Sequence, residues 1–166
     1  MSVYIGIDPG ISPAVVALDD KGALLWMKDI PAIKVGDKNE MNGAAIRDAL
    51  IGADHVFLEK AQAMPAERFD KVSGKIVKQG ISSTAHYMKS AGILEGICIG
   101  LQIPYDLISP VSWKAKMMAG MQKGKDASLL RVQQLYPGSV KLKKDNHKAE
   151  ALLICLYGIN YRLLRR

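Results

Sequence analysis

Cysteine is nearly absent, with two in 166 residues. Cys98 and Cys155 stand far apart in apolar helical patterns, which excludes both a disulfide scaffold and the paired-thiolate motifs of structural zinc. Both read as reduced core residues of an intracellular protein. No apolar run reaches the ~18 residues of a membrane span, and no basic leader with a cleavage site precedes the first strand. Low-complexity tracts, linkers and internal repeats are missing as well. No serine or cysteine has a base at motif spacing, which argues against a nucleophilic hydrolase. A second glycine-rich phosphate loop is also lacking, and the chain is short for a two-lobed actin-like kinase or ATPase.

What remains is a sequence that is 49% apolar and 23% charged, sized for one domain over residues 1–166. Its charge is lopsided: 23 Lys and Arg against 16 Asp and Glu, a net +7, which points to a polyanionic partner. The cations are grouped. Lys60, Arg68, Lys71, Lys75 and Lys78 form one cluster, Lys114, Lys116, Lys123 and Lys125 a second, and Lys141, Lys143, Lys144 and Lys148 a third. Each adjoins an element that carries an acidic residue, the pairing a nuclease needs: carboxylates for metal and lysines for phosphate.

Val3, Ile5 and Ile7 alternate with Tyr4, Gly6 and Asp8, so the chain opens on a strand that ends in a carboxylate before the Pro9-Gly10 turn. Asp8 either starts that turn or meets a cation, since an unpaired buried carboxylate is costly. Ala14–Leu18 and Ala23–Met27 read as two further strands joined by short turns, an antiparallel meander. Residues 31–41 read as polar and irregular. Asn42 caps a helix through Leu50, and His55–Glu59 is a fourth strand, again ending in a carboxylate. A helical crossover sets this strand parallel to the first, with Asp8 and Glu59 at one sheet edge. Residues 60–80 read as a mobile functional loop. A helix over Ser82–Leu101 carries Gly92, Gly96 and Gly100 at every fourth position, for packing on the sheet or for a dimer contact. Tyr105–Ile108 is a fifth strand. Short helices follow over Val111–Met118 and from an Asp126 cap to Tyr136, and an apolar helix runs from about Asn146 to Leu164.

Glu150 interrupts that last helix, which is otherwise apolar nearly all round, and His147 shares its face three residues earlier. Asp145 is read either as a further ligand or as the helix cap. The candidate metal set is therefore Asp8, Glu59, His147 and Glu150, with Asp145 open. Carboxylates with an imidazole suit Mg²⁺ or Mn²⁺, and two such ions per site would activate water on a phosphodiester. Lys114 is read as a catalytic phosphate contact or a solvated helix lysine. Lys60, Arg68, Lys71, Lys75, Lys78, Lys116, Lys123 and Lys125 are candidate backbone contacts to DNA. Phe69 and Tyr87 either stack on an opened base or pack. Trp26 and Trp113 read as core or interface.

Ile5-Gly6-Ile7-Asp8-Pro9-Gly10 resembles the opening motif of RuvC-type Holliday-junction resolvases, in the RNase H-like superfamily. Phe57-Leu58-Glu59-Lys60 is similar to their second acidic motif, with Lys60 where bacterial members carry Gln. His147-Lys148-Ala149-Glu150-Ala151-Leu152 is similar to the terminal-helix motif, with Glu150 where many carry Asp. Pro110-Val111-Ser112-Trp113-Lys114, Lys125-Asp126-Ala127 and Lys143-Lys144-Asp145 resemble the plastid and phage-like branch. The resemblance implies an RNase H-like α/β fold: a mixed five-stranded sheet, three strands antiparallel and two parallel, flanked by helices. It also implies a homodimeric, cytoplasmic, nucleoid-associated enzyme of bacterial or phage origin. Such an enzyme takes a four-way DNA junction, uses no small-molecule cofactor and nicks two strands symmetrically to leave 5′-phosphate and 3′-hydroxyl ends. Alternatives are a nuclease of the same fold acting on other branched or hybrid substrates, or a non-catalytic junction-binding protein.

Overall fold

The computed structural model describes residues 1–62, 67–70, 74–78, 80–122, 124–141 and 143–163. β1 (Val3–Asp8), β2 (Ala14–Asp19) and β3 (Leu24–Asp29) form the antiparallel meander that the alternation predicts. α1 (Gly43–Leu50) then carries the chain across. Its first turn is capped by Asn42, whose side chain accepts the Ala45 N–H. β6 (His55–Glu59) pairs parallel with β1, and β9 (Tyr105–Ile108) pairs parallel with β6. The sheet order is β3-β2-β1-β6-β9.

Two segments differ from their sequence reading. Residues 31–41 hold a small hairpin, β4 (Ile33–Val35) and β5 (Lys38–Glu40), turned at Gly36 with φ 59°. The segment 60–80, read as a loop, contains a second hairpin, β7 (Glu67–Asp70) with β8 (Lys75–Lys78). Both strand pairs are rich in charge and only three or four residues a strand, too short for alternation to mark them.

Helices cover both faces. α2 (Ile81–Gly100) and α1 bury one core, in which Ile5, Ile7, Val15 and Val56 meet Ile46, Leu50 and Leu94. α3 (Pro110–Met117), α4 (Ala127–Leu135) and α5 (Asn146–Tyr161) bury the other, around Phe57, Trp113 and Leu152. Cys98 and Cys155 lie one in each core, as free thiols. Asp126 holds the N-cap position of α4, but its side chain makes no capping hydrogen bond there.

α5 lies directly on β1. A Cβ at Gly6 would overlap the Ala151 carbonyl, and one at Gly158 would overlap the Phe57 ring. Two glycines thus permit a backbone approach that any other residue would forbid. This contact sets the first turn of α5 over the ends of β1 and β6. Among the described residues, no helix is long and apolar enough to cross a membrane.

Candidate active site

Asp8 is the last residue of β1 and Glu59 the last of β6. Because the two strands are parallel, with Ile7 beside Leu58, both carboxylates leave the sheet at the same edge. Asp8 is nevertheless almost wholly buried, at 7% exposure. α5 brings His147 onto it, Nδ1 standing 2.7 Å from Asp8 Oδ2. Glu150 follows one turn later on the same face. Its Oε1 accepts a hydrogen bond from Ser128 Oγ at 3.3 Å and lies 3.9 Å from Lys114 Nζ. Glu59 Oε2 accepts the indole N–H of the fully buried Trp113 at 2.7 Å.

The electrostatics describe a cluster short of positive charge. Burial pushes Glu59 above the ordinary carboxylate range. Asp8 and Glu150 push it further, while the Trp113 hydrogen bond and Lys114 act against the shift. Burial also raises Glu150, and Asp8 adds to this against the pull of Lys114, Ser128 and His147. His147 is raised, chiefly through its hydrogen bond to Asp8. Tyr87 on α2 is pushed up by burial and by the charges of Glu59, Asp8 and Glu150.

Asp145 is engaged by the turn before α5. Its Oδ2 accepts the Lys141 N–H at 3.1 Å and its Oδ1 pairs with Lys148 Nζ at 2.8 Å. Although it occupies the N-cap position of α5, it makes no capping bond there and instead fastens the turn before the helix. Lys148 also reaches Asp29 at the end of β3, 3.3 Å away, and so ties that turn to the sheet.

The cations divide. Lys114 stands at the trio and Lys125 is exposed nearby, lining the same hollow as Lys114 and Glu150. Lys60 is exposed just past Glu59. Lys116 turns elsewhere, its Nζ 5.9 Å from the centre of the Tyr161 ring. Arg68 and Phe69 lie on β7, and Lys75 and Lys78 on β8. Lys71 and Lys123 fall outside the described residues.

Sequence reasoning missed two polar partners. Trp113 reads as core or interface and proves to be core, yet a buried indole N–H requires an acceptor, and that requirement is the signal that leads to Glu59. Ser128, the second residue of α4, carries no such signal, although it is buried at 6%.

The carboxylates and imidazole are hard and borderline donors of the kind that hold Mg²⁺ or Mn²⁺. Among the described residues no three His, Cys, Asp or Glu side chains stand as a ready-made metal cage. Their oxygens are turned toward Trp113, Ser128 and His147 instead. The donor set fits such an ion in kind and in unbalanced charge, and closing around it takes rotation of these side chains.

The sequence matches no family model and no curated protein sequence. Its fold does have solved counterparts. A Thermus thermophilus RuvC in complex with a Holliday junction substrate superposes with a TM-score of 0.66 at 16% identity, covering 98% of this chain and 96% of that one. Another Thermus thermophilus RuvC structure gives 0.61 at 20% identity, over 97% of this chain and 96% of that one. The sheet order, the flanking helices and the near-complete mutual coverage together show that this chain has a RuvC-like fold.

Proposed function

We propose that this chain is a metal-dependent endodeoxyribonuclease that resolves four-way DNA junctions as a homodimer, by paired symmetric nicks. The observation that carries the reading is the meeting of Asp8, Glu59 and Glu150 at one sheet edge, with His147 on Asp8 and Lys114 on Glu150, on a RuvC-like fold. Asp8, Glu59, Glu150 and His147 would hold two divalent ions, Mg²⁺ or Mn²⁺. When bound, such ions supply a nucleophilic water and stabilise the leaving oxygen.

The chain's own residues do the rest. Trp113 and Ser128 each hold one of the two glutamates at the site through a single hydrogen bond. His147 shares a proton with Asp8 and holds its orientation. Lys114, 48% exposed at the side chain, offers an ammonium to a non-bridging phosphate oxygen. Burial of Asp8 keeps bulk water from competing at the strand ends. The net +7 charge supplies attraction for the branched DNA, and the protein would work in the cytoplasm beside the nucleoid.

The test is a synthetic junction with a short mobile core, labelled on each strand in turn, with wild type and Glu59→Gln compared in Mg²⁺, Mn²⁺ and chelator. Paired ligatable nicks are expected from wild type with either ion. They should be lost in chelator and reduced at least about a thousandfold in the variant, with junction binding retained. Binding without cleavage under any ion would move the function to architecture. Preference for linear or hybrid duplex would keep the nuclease and discard the junction.

A further inference from the structure

Beside the acidic trio lies a hollow of about 1180 Å³ between α3, the chain leading into α4, and the start of α5. It exceeds the space one nucleobase fills and suits a ligand of two nucleotides. Glu150 and Lys114 line it, so it is continuous with the proposed site of cleavage. One wall is apolar but contains no aromatic ring: Val111, Ala115, Met118, Met121 and Ala127. Methionines present flexible, polarisable thioethers that settle against the face or edge of varied planar rings. Lys114 and Lys125 bring two cations to the hollow, with Asp126 the one acid beside them besides Glu150. Ser128 and Asn146 add polar groups. Asn146 Oδ1 is the one buried side-chain polar atom without a hydrogen-bond partner among the described residues. Rotation of that amide presents either its acceptor or its donor to a base edge.

We propose that this hollow takes two consecutive unpaired nucleotides of the cleaved strand, their bases against the Met118–Met121 wall and their phosphates at Lys114 and Lys125. The assignment rests on the nuclease reading above, because only a strand cut at the trio would run into the hollow from Glu150. Opened bases at a junction need an apolar surface to replace lost stacking, and the wall supplies it. A purely apolar ligand would leave both lysines and the Asn146 amide unanswered.

The experiment uses wild-type protein carrying ¹³C-methyl methionine, titrated in chelator with single-stranded pentathymidylate to the solubility limit. No cleavage or junction is involved. Shifts in the Met118 and Met121 methyl signals, identified by Met118→Leu and Met121→Leu spectra, are expected, with Met27, Met41 and Met117 unmoved. In Ala115→Trp, which fills the hollow from an exposed helix position, the oligonucleotide should bind about tenfold or more weakly. Unmoved Met118 and Met121 methyls would overturn the pocket, even if wild type cuts junctions normally. Moved methyls in a protein that cuts no junction would uphold the pocket as a single-strand site and overturn the nuclease reading alone.

Discussion

At the scale of single residues, the Trp113–Glu59 hydrogen bond holds a carboxylate in its charged form against burial. Trp113→Phe keeps the ring and removes the donor, so Glu59 climbs further. If Glu59 works ionised, the acid limb of the cleavage pH profile moves toward neutrality in this variant while the alkaline limb stays. An unmoved acid limb would assign Trp113 to packing alone. The two raised glutamates also set the sign of a stability effect. Because their folded values lie above 4.5, their contribution to stability is complete below 4.5 and is lost as pH rises through the raised values. At neutral pH the ionised pair weighs against the metal-free fold. Glu150→Gln should therefore melt higher than wild type in chelator, by about 2–4 °C for each kcal/mol relieved. The gap should close as pH falls below 4.5, and melting curves across pH 4–8 would read it. Asp8 and Glu59 were legible as acids that end apolar strands. The partners that tune the trio were not, because Trp113 hides a donor inside an apolar pattern and Ser128 looks like any helix-start serine.

At the scale of elements, the site depends on how closely α5 lies on β1. Gly6→Ala would push a methyl into the Ala151 carbonyl and Cys155, and neither backbone can yield without lifting the helix from the sheet. A loss of about 3 kcal/mol or more is expected in urea melts, the upper end of overpacking costs. Cleavage should fall with it, since His147 and Glu150 ride on the same helix. Gly96→Ala on α2 is the matched control. Its new methyl meets nothing within 4 Å inside one chain, so in the single chain helix propensity alone acts and stability rises by about 0.5–1 kcal/mol. The long elements were readable because each hides one face: β1, β2 and β6 by alternation or apolar run, α1 by its Asn42 cap. The β4–β5 and β7–β8 hairpins were not. Lys34, Lys38, Asn39 and Glu40 place polar groups on short strands, and only the Gly36-Asp37 turn betrays the first of them.

At the scale of the whole molecule, one chain carries one acidic trio, whereas resolving a four-way junction takes two nicks. The sequence left the glycines of α2 open between sheet packing and a dimer contact. Ser90, Ala91, Leu94 and Cys98 are the described residues that α2 buries, while Gly92, Gly96 and Gly100 are exposed, with open space where a Cβ would stand. Met88 lies on the same stripe, 42% exposed, and Ile99 beside it is 64% exposed. A flat row of this kind lets a second helix approach closely, and the exposed apolar side chains on it gain by being covered. Wild type is therefore expected to sediment at twice the chain mass at micromolar concentration. Gly96→Glu, which sets a charge in the middle of the row, should sediment as one chain with its melting temperature within a few degrees of wild type. On a labelled junction that variant should still nick, since Asp8, Glu59 and Glu150 all belong to one chain, but its nicks should be unpaired and should not ligate. Wild type that sediments as a single chain both with and without junction would defeat the dimer, and with it the explanation of paired cutting. A dimeric Gly96→Glu would place the contact on another face and leave the pairing argument intact.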